Sequence, residues 1–89
     1  MANQEHLWML SNGPEYWNRW RHENPQIRPI LLGWDDPGVE FNNAVLKSSD
    51  MRGASLHGSD LSGCDLSGAD LSGADLSGAD LSGGRSRVG

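Results

Sequence analysis

The chain has one cysteine, Cys64, so no internal disulfide can form and no thiol-rich metal site is available. Its three histidines, His6, His22 and His57, stand far apart and make no ligand spacing with Cys64. The many serines have no histidine in phase to activate them. Neither a metal, a cofactor nor an enzyme activity is expected. Long apolar runs are missing as well: nothing approaches the roughly 20 residues of a membrane-spanning helix. The first residues lack the basic-then-apolar pattern of a secretory leader. The expectation is a cytoplasmic protein with no membrane association. Basic residues are scarce, with 7 Lys and Arg against 12 Asp and Glu in 89 residues and a net charge of −5. A nucleic-acid binder needs a basic footprint, so nucleic acid is not an expected partner. Aromatic residues are few and lopsided. All four tryptophans and Tyr16 come before residue 35, and only Phe41 follows.

What the chain does have is a period of five. Large apolar residues recur at Phe41, Leu46, Met51, Leu56, Leu61, Leu66, Leu71, Leu76 and Leu81. Two positions before each stands a small or slender residue: Val39, Ala44, Ser49, Ala54, Ser59, Cys64, Ala69, Ala74 and Ala79. A helix returns an apolar residue every three or four positions and a half-buried strand every second, so this spacing fits neither. Residues at i and i+2 share one face of an extended segment, which lets Ala69 and Leu71 look into one core. Ser72 and Gly73 then make a corner, glycine accepting positive φ without steric cost. Self-similarity at a fixed period marks a stacked repeat architecture. If four units make one turn, residues twenty apart lie above one another at about 4.8 Å. The columns are then Phe41/Leu61/Leu81, Leu46/Leu66, Met51/Leu71 and Leu56/Leu76, with Cys64 a buried core thiol above Ala44.

Nine units in unbroken phase from Val39 to Gly83, the last of them reading Ala-Asp-Leu-Ser-Gly, resemble the pentapeptide-repeat family, whose units follow Ala-(Asp/Asn)-Leu-x-x. The resemblance covers about half the chain. It implies a mainly β fold: a short right-handed quadrilateral β-helix of a little over two coils, each unit forming one side. In that fold the central large residue and the small residue two before it point inward.

So few coils need a cap, and the N-terminal residues can supply one. Gln4 to Leu10 reads as a helix capped by Asn3 and ended by Asn12-Gly13. Pro14 suits a first helical position, and the following helix stops at Asn24-Pro25. Tyr16, Trp17 and Trp20 make one apolar stripe, and with Trp8 they are expected to cover the first coil. The stretch Trp17-Asn-Arg-Trp-Arg followed by Asn24-Pro25 resembles a lead-in found before such arrays in bacterial proteins. Residues 27–38 break the phase, with Asp36 where a large apolar residue belongs, and read as a connecting loop. The expected organisation is 1–38 helical cap and loop, 39–83 repeat array, and 84–89 flexible tail.

The aspartates at 60, 65, 70, 75 and 80 fall on successive sides, so they do not converge on a metal and read as solvated charge. The expected role is non-enzymatic: a structural or protein-interaction module. Its partner is an unnamed protein or a second copy meeting the open C-terminal coil. Family resemblance adds an alternative, an acidic DNA mimic that binds a type II topoisomerase such as gyrase. Two coils span only about six phosphate charges of duplex, which argues against it. A second alternative is a truncated piece of a longer array.

Overall fold

The computed structural model describes residues 3–85. Two helices open it, α1 (Gln4–Leu10) and α2 (Pro14–Glu23). Asn3 starts α1 as a side-chain cap, its Oδ1 accepting from the N–H groups of Glu5 (2.9 Å) and His6 (3.2 Å). Such a cap satisfies backbone donors that no helical carbonyl can reach. At the other end the Ser11 and Asn12 side chains donate to Trp8 O. Gly13, at φ 94°, turns the chain, and Pro14 then begins α2 with a ring already set at a helical φ. Met9, Leu10 and Trp17 are the buried apolar residues of the pair, with Leu7 and Trp20 packed partly against them.

From Ile30 onward the chain repeats one local conformation. Each five-residue unit has one bridged residue, one central residue and a two-residue turn, closed by a bond such as Trp34 N–H to Leu31 O (2.9 Å). The third turn residue has positive φ, as this class of turn requires. Glycine fills that place in most units, whereas Asn43 (φ 60°) and Ser48 (φ 62°) fill it in two. At Gly63 a side chain would also run into Asn43 Oδ1 from the unit twenty residues earlier.

Successive turns are joined by parallel bridges, every one between residues twenty apart. They form four columns of three: Ile30/Asp50/Asp70, Asp35/Ser55/Asp75, Glu40/Asp60/Asp80 and Val45/Asp65/Arg85. A third bond ties turn to turn, for example Gly53 N–H to Ser72 O (2.9 Å).

The expected right-handed quadrilateral β-helix is corrected by this arrangement. Among the described residues there are two short helices and no β-strand or sheet; pairing is confined to isolated bridges. The reason is local. A ladder needs consecutive bridged residues, and here two of every five residues are spent on a turn, leaving one bridge per side. The stack also has three levels where a little over two were expected. Residues 27–38, expected as a connecting loop, carry the bridges Ile30↔Asp50 and Asp35↔Ser55 in the same phase as the rest. Asp36 does not break that phase because its side chain is exposed. Trp34, standing where other units have a small residue, is buried and packs edge-on to Phe41 at 5.6 Å. One large ring thus fills space that an apolar residue at 36 would have taken.

Leu31, Leu46, Met51, Leu56 and Leu61 are fully buried, and Phe41 and Leu66 nearly so. Leu71, Leu76 and Leu81, on the last level, are only partly buried. Beside them Ala44, Ser49, Ala54, Ser59, Cys64 and Ala69 are buried, while Val39, Ala74 and Ala79 are partly so. Ser49 Oγ has no hydrogen-bond partner in this core. Of the tail expected at 84–89, Arg85 bridges Asp65, and residues 86–89 lie outside the described residues.

Candidate functional site

In a parallel bridge the later residue presents both its N–H and its C=O to the level below, as Asp50 does to Pro29 O and Leu31 N. The first-level residues Ile30, Asp35, Glu40 and Val45 therefore turn these groups toward the N-terminal end, where no earlier level exists. The helices take the place of that level on two sides. Ile30 N–H donates to His6 Nδ1 (3.0 Å), and Ile30 O accepts from Asn3 N–H (3.1 Å). Val45 N–H donates to Asn18 Oδ1 (2.8 Å), and Val45 O accepts from Trp17 Nε1 (2.8 Å). Asn18 Nδ2 reaches Asn43 O (2.9 Å), and Arg21 Nη2 reaches Lys47 O (2.7 Å). Polar side chains of a helix thus act as a substitute strand edge. His6 must be neutral to accept at Nδ1, and burial pushes its pKa down, with Arg21 adding to the effect and Glu5 opposing it.

The C-terminal end has no such cover among the described residues. One level down, the amides of Met51, Leu56 and Leu61 donate to Asp70, Asp75 and Asp80, and Ser49, Ala54 and Ser59 carbonyls accept from the same residues. Their counterparts on the last level, the amides of Leu71, Leu76 and Leu81 and the carbonyls of Ala69, Ala74 and Ala79, make no backbone hydrogen bond among the described residues. Among the described residues, nothing covers three sides of this apolar, hydrogen-bonding edge.

The repeated aspartates have a structural task beyond solvation. In each of five units the carboxylate accepts from the serine two residues on, by both N–H and Oγ; for Asp60 the distances are 3.0 and 2.6 Å. These bonds close the turn from outside, the local competition that makes Asp and Ser turn formers. They hold the Asp70, Asp75 and Asp80 carboxyls below the usual range, the serine hydroxyl being the larger cause. Asp50, which is buried, is the variant: Arg52 replaces serine with a paired guanidinium at 2.8 Å and lowers its pKa to about 2. The Asp-x-Ser spacing was the sequence signal for this role.

A cleft of about 450 Å³ lies between α2 and repeat residues 45–48. Arg21 is its most buried polar group, 7 % exposed, with Nη1 on Ile27 O (2.9 Å) and Nη2 on Lys47 O. Its Nε has no partner, and burial pushes its pKa down against the pull of Asp65. Arg28, Lys47 and His22 also line the cleft.

Of the aromatic residues expected to cover the first coil, Trp17 is fully buried and Trp20 half-buried, at 5.2 Å from it. Trp8 and Tyr16 are 58 % and 40 % exposed and pack edge-on to each other on the outside. Cys64 is buried, its thiol donating to Phe41 O (3.0 Å), and burial raises its pKa. Among the described residues no three His, Cys, Asp or Glu side chains gather in a way that could hold a metal. No described helix is long and apolar enough to cross a membrane.

A family model described as pentapeptide repeats, in eight copies, matches residues 37–63 and 49–84, more than half of the chain. No curated protein and no solved structure matches the chain significantly.

Proposed function

Because the chain belongs to the pentapeptide-repeat family, whose members commonly serve as interaction modules, we propose that it works without catalysis, as a structural or protein-protein interaction module. The binding surface is the open last level, and its occupant is a second copy of the chain. One observation carries this reading: Leu71, Leu76 and Leu81 present partly buried side chains, and amides with no partner among the described residues, on the same edge. An uncovered edge of this kind is a template for pairing with another chain. The N-terminal end is less available because α1 and α2 already bond Ile30 and Val45. Two copies meeting by their last levels form an isologous contact that closes without growing into a fibre. Asp70, Asp75 and Asp80 rim this edge on both copies, so added salt should screen their repulsion and tighten the pair.

Sedimentation velocity over a concentration series tests the reading. A dimer that strengthens with salt and is lost in Leu76→Lys is the expected result. A chain that stays monomeric at high concentration and high salt would overturn it. The rival reading as an acidic mimic of DNA has less support, since the stack's acids are divided among four columns and Arg85 stands in one of them. Inhibition of gyrase supercoiling by micromolar protein would favour that rival instead. A cytoplasmic location accords with the proposed role and with a lone, unpaired cysteine.

A further inference from the structure

The cleft beside α2 has features that the open end does not use. Arg21, itself only 7 % exposed, brings a guanidinium to the floor of this cleft, and such a charge is costly unless paired and fully hydrogen-bonded. Two of its nitrogens are bonded to backbone carbonyls and Nε is not. Among the described residues no carboxylate lies within ion-pair distance of Arg21, Arg28 or Lys47. Asp65, the acid that acts on Arg21 at longer range, is itself engaged by Ser67. A protein of net charge −5 therefore concentrates three permanent cations and His22 around one concavity. Pro25, Ile27 and Val45 give the same cleft an apolar wall. Its volume falls in the range of small-molecule sites.

The geometry points to a binding site for a small organic anion. A phosphate monoester or carboxylate head meets the guanidinium of Arg21 with Arg28 and Lys47, and an apolar body lies on Ile27 and Val45. Guanidinium groups suit both heads because their donors match planar oxygen pairs. The site is built from α2, residues 25–28 and residues 45–48, so it stands or falls independently of association through the last level.

The test is a titration of the full, isotope-labelled chain followed at the Arg21 side-chain Nε–Hε resonance. The probes are phenyl phosphate, benzoate, inorganic phosphate and the neutral analogue phenol. The resonance should shift with phenyl phosphate, benzoate or both, and more weakly with inorganic phosphate, which has no apolar body. Phenol should leave it in place. Lys47→Gln changes an exposed side chain that makes no bond in the fold, and should weaken the anion about tenfold, the size of one charge-assisted hydrogen bond. A resonance that ignores both organic anions, that responds equally to phenol, or that gives the same affinity in Lys47→Gln would overturn the assignment. Equal affinity for inorganic and phenyl phosphate would overturn the part played by Ile27 and Val45. A response to one organic anion alone supports the site and identifies the preferred head.

Discussion

Replacing Asn18 by alanine should destabilise the protein by about 2 kcal/mol, although Asn18 contributes nothing to the apolar core. Its side chain accepts from Val45 N–H at 2.8 Å and donates to Asn43 O at 2.9 Å. Each bond is worth about 1 kcal/mol net. Val45 is half-buried, so its freed amide is only partly compensated by water. The proper comparison is Asn42→Ala, an exposed asparagine one residue from the same segment with no side-chain bond, which should change stability by less than about 0.5 kcal/mol. Urea unfolding followed by tryptophan fluorescence reads both, and Trp17, bonded to the same Val45, reports on that contact. For a chain of this size the expected loss corresponds to roughly 8–16 °C in melting temperature. The slope against urea should be unchanged, since the surface exposed on unfolding is nearly the same. If Asn18→Ala and Asn42→Ala behave alike, the helix is not acting as a substitute for the missing level.

Ser49→Ala should stabilise the protein by about 1 kcal/mol in the same urea assay, because Ser49 Oγ is buried without a partner and alanine already fills the equivalent place at 69. Stability should also fall as pH drops below about 6.5, the ordinary histidine value. The folded chain holds His6 neutral with its pKa lowered, so the unfolded chain binds the proton more readily. His6→Gln should flatten that part of the pH profile in thermal melts, and an unaltered profile would remove His6 from the cap.

The period of five was legible in the chain because from Asp50 onward every unit carries glycine at its turn, and the twenty-residue stacking followed once four units were taken per coil. Residues such as Asp70-Leu71-Ser72-Gly73 contain their own turn, and the apolar position follows from it. The secondary structure built on that period was not legible. Apolar spacing says which side chains go inward, but not whether enough consecutive backbone groups pair to make a strand. Residues 27–38 were misread for a related reason. Trp34 and Asp36 exchange the roles of small and large positions, and a pattern reading sees two violations where the structure has one compensated swap. The polar members of the cap, His6, Asn18 and Arg21, had no spacing signal. Their partners are backbone groups of Ile30, Asn43, Val45 and Lys47, and a carbonyl leaves no trace in a sequence.

Amide hydrogen exchange in dilute solution tests the stacked and open-ended arrangement most directly. The amides of Leu46, Met51, Leu56 and Leu61 donate to residues nineteen positions further on and should exchange slowly, whereas those of Leu71, Leu76 and Leu81 have no acceptor among the described residues and should exchange fast. Raising the concentration should then slow the last three by covering their edge. Equal protection of all seven in dilute protein, or rapid exchange throughout, would contradict the account.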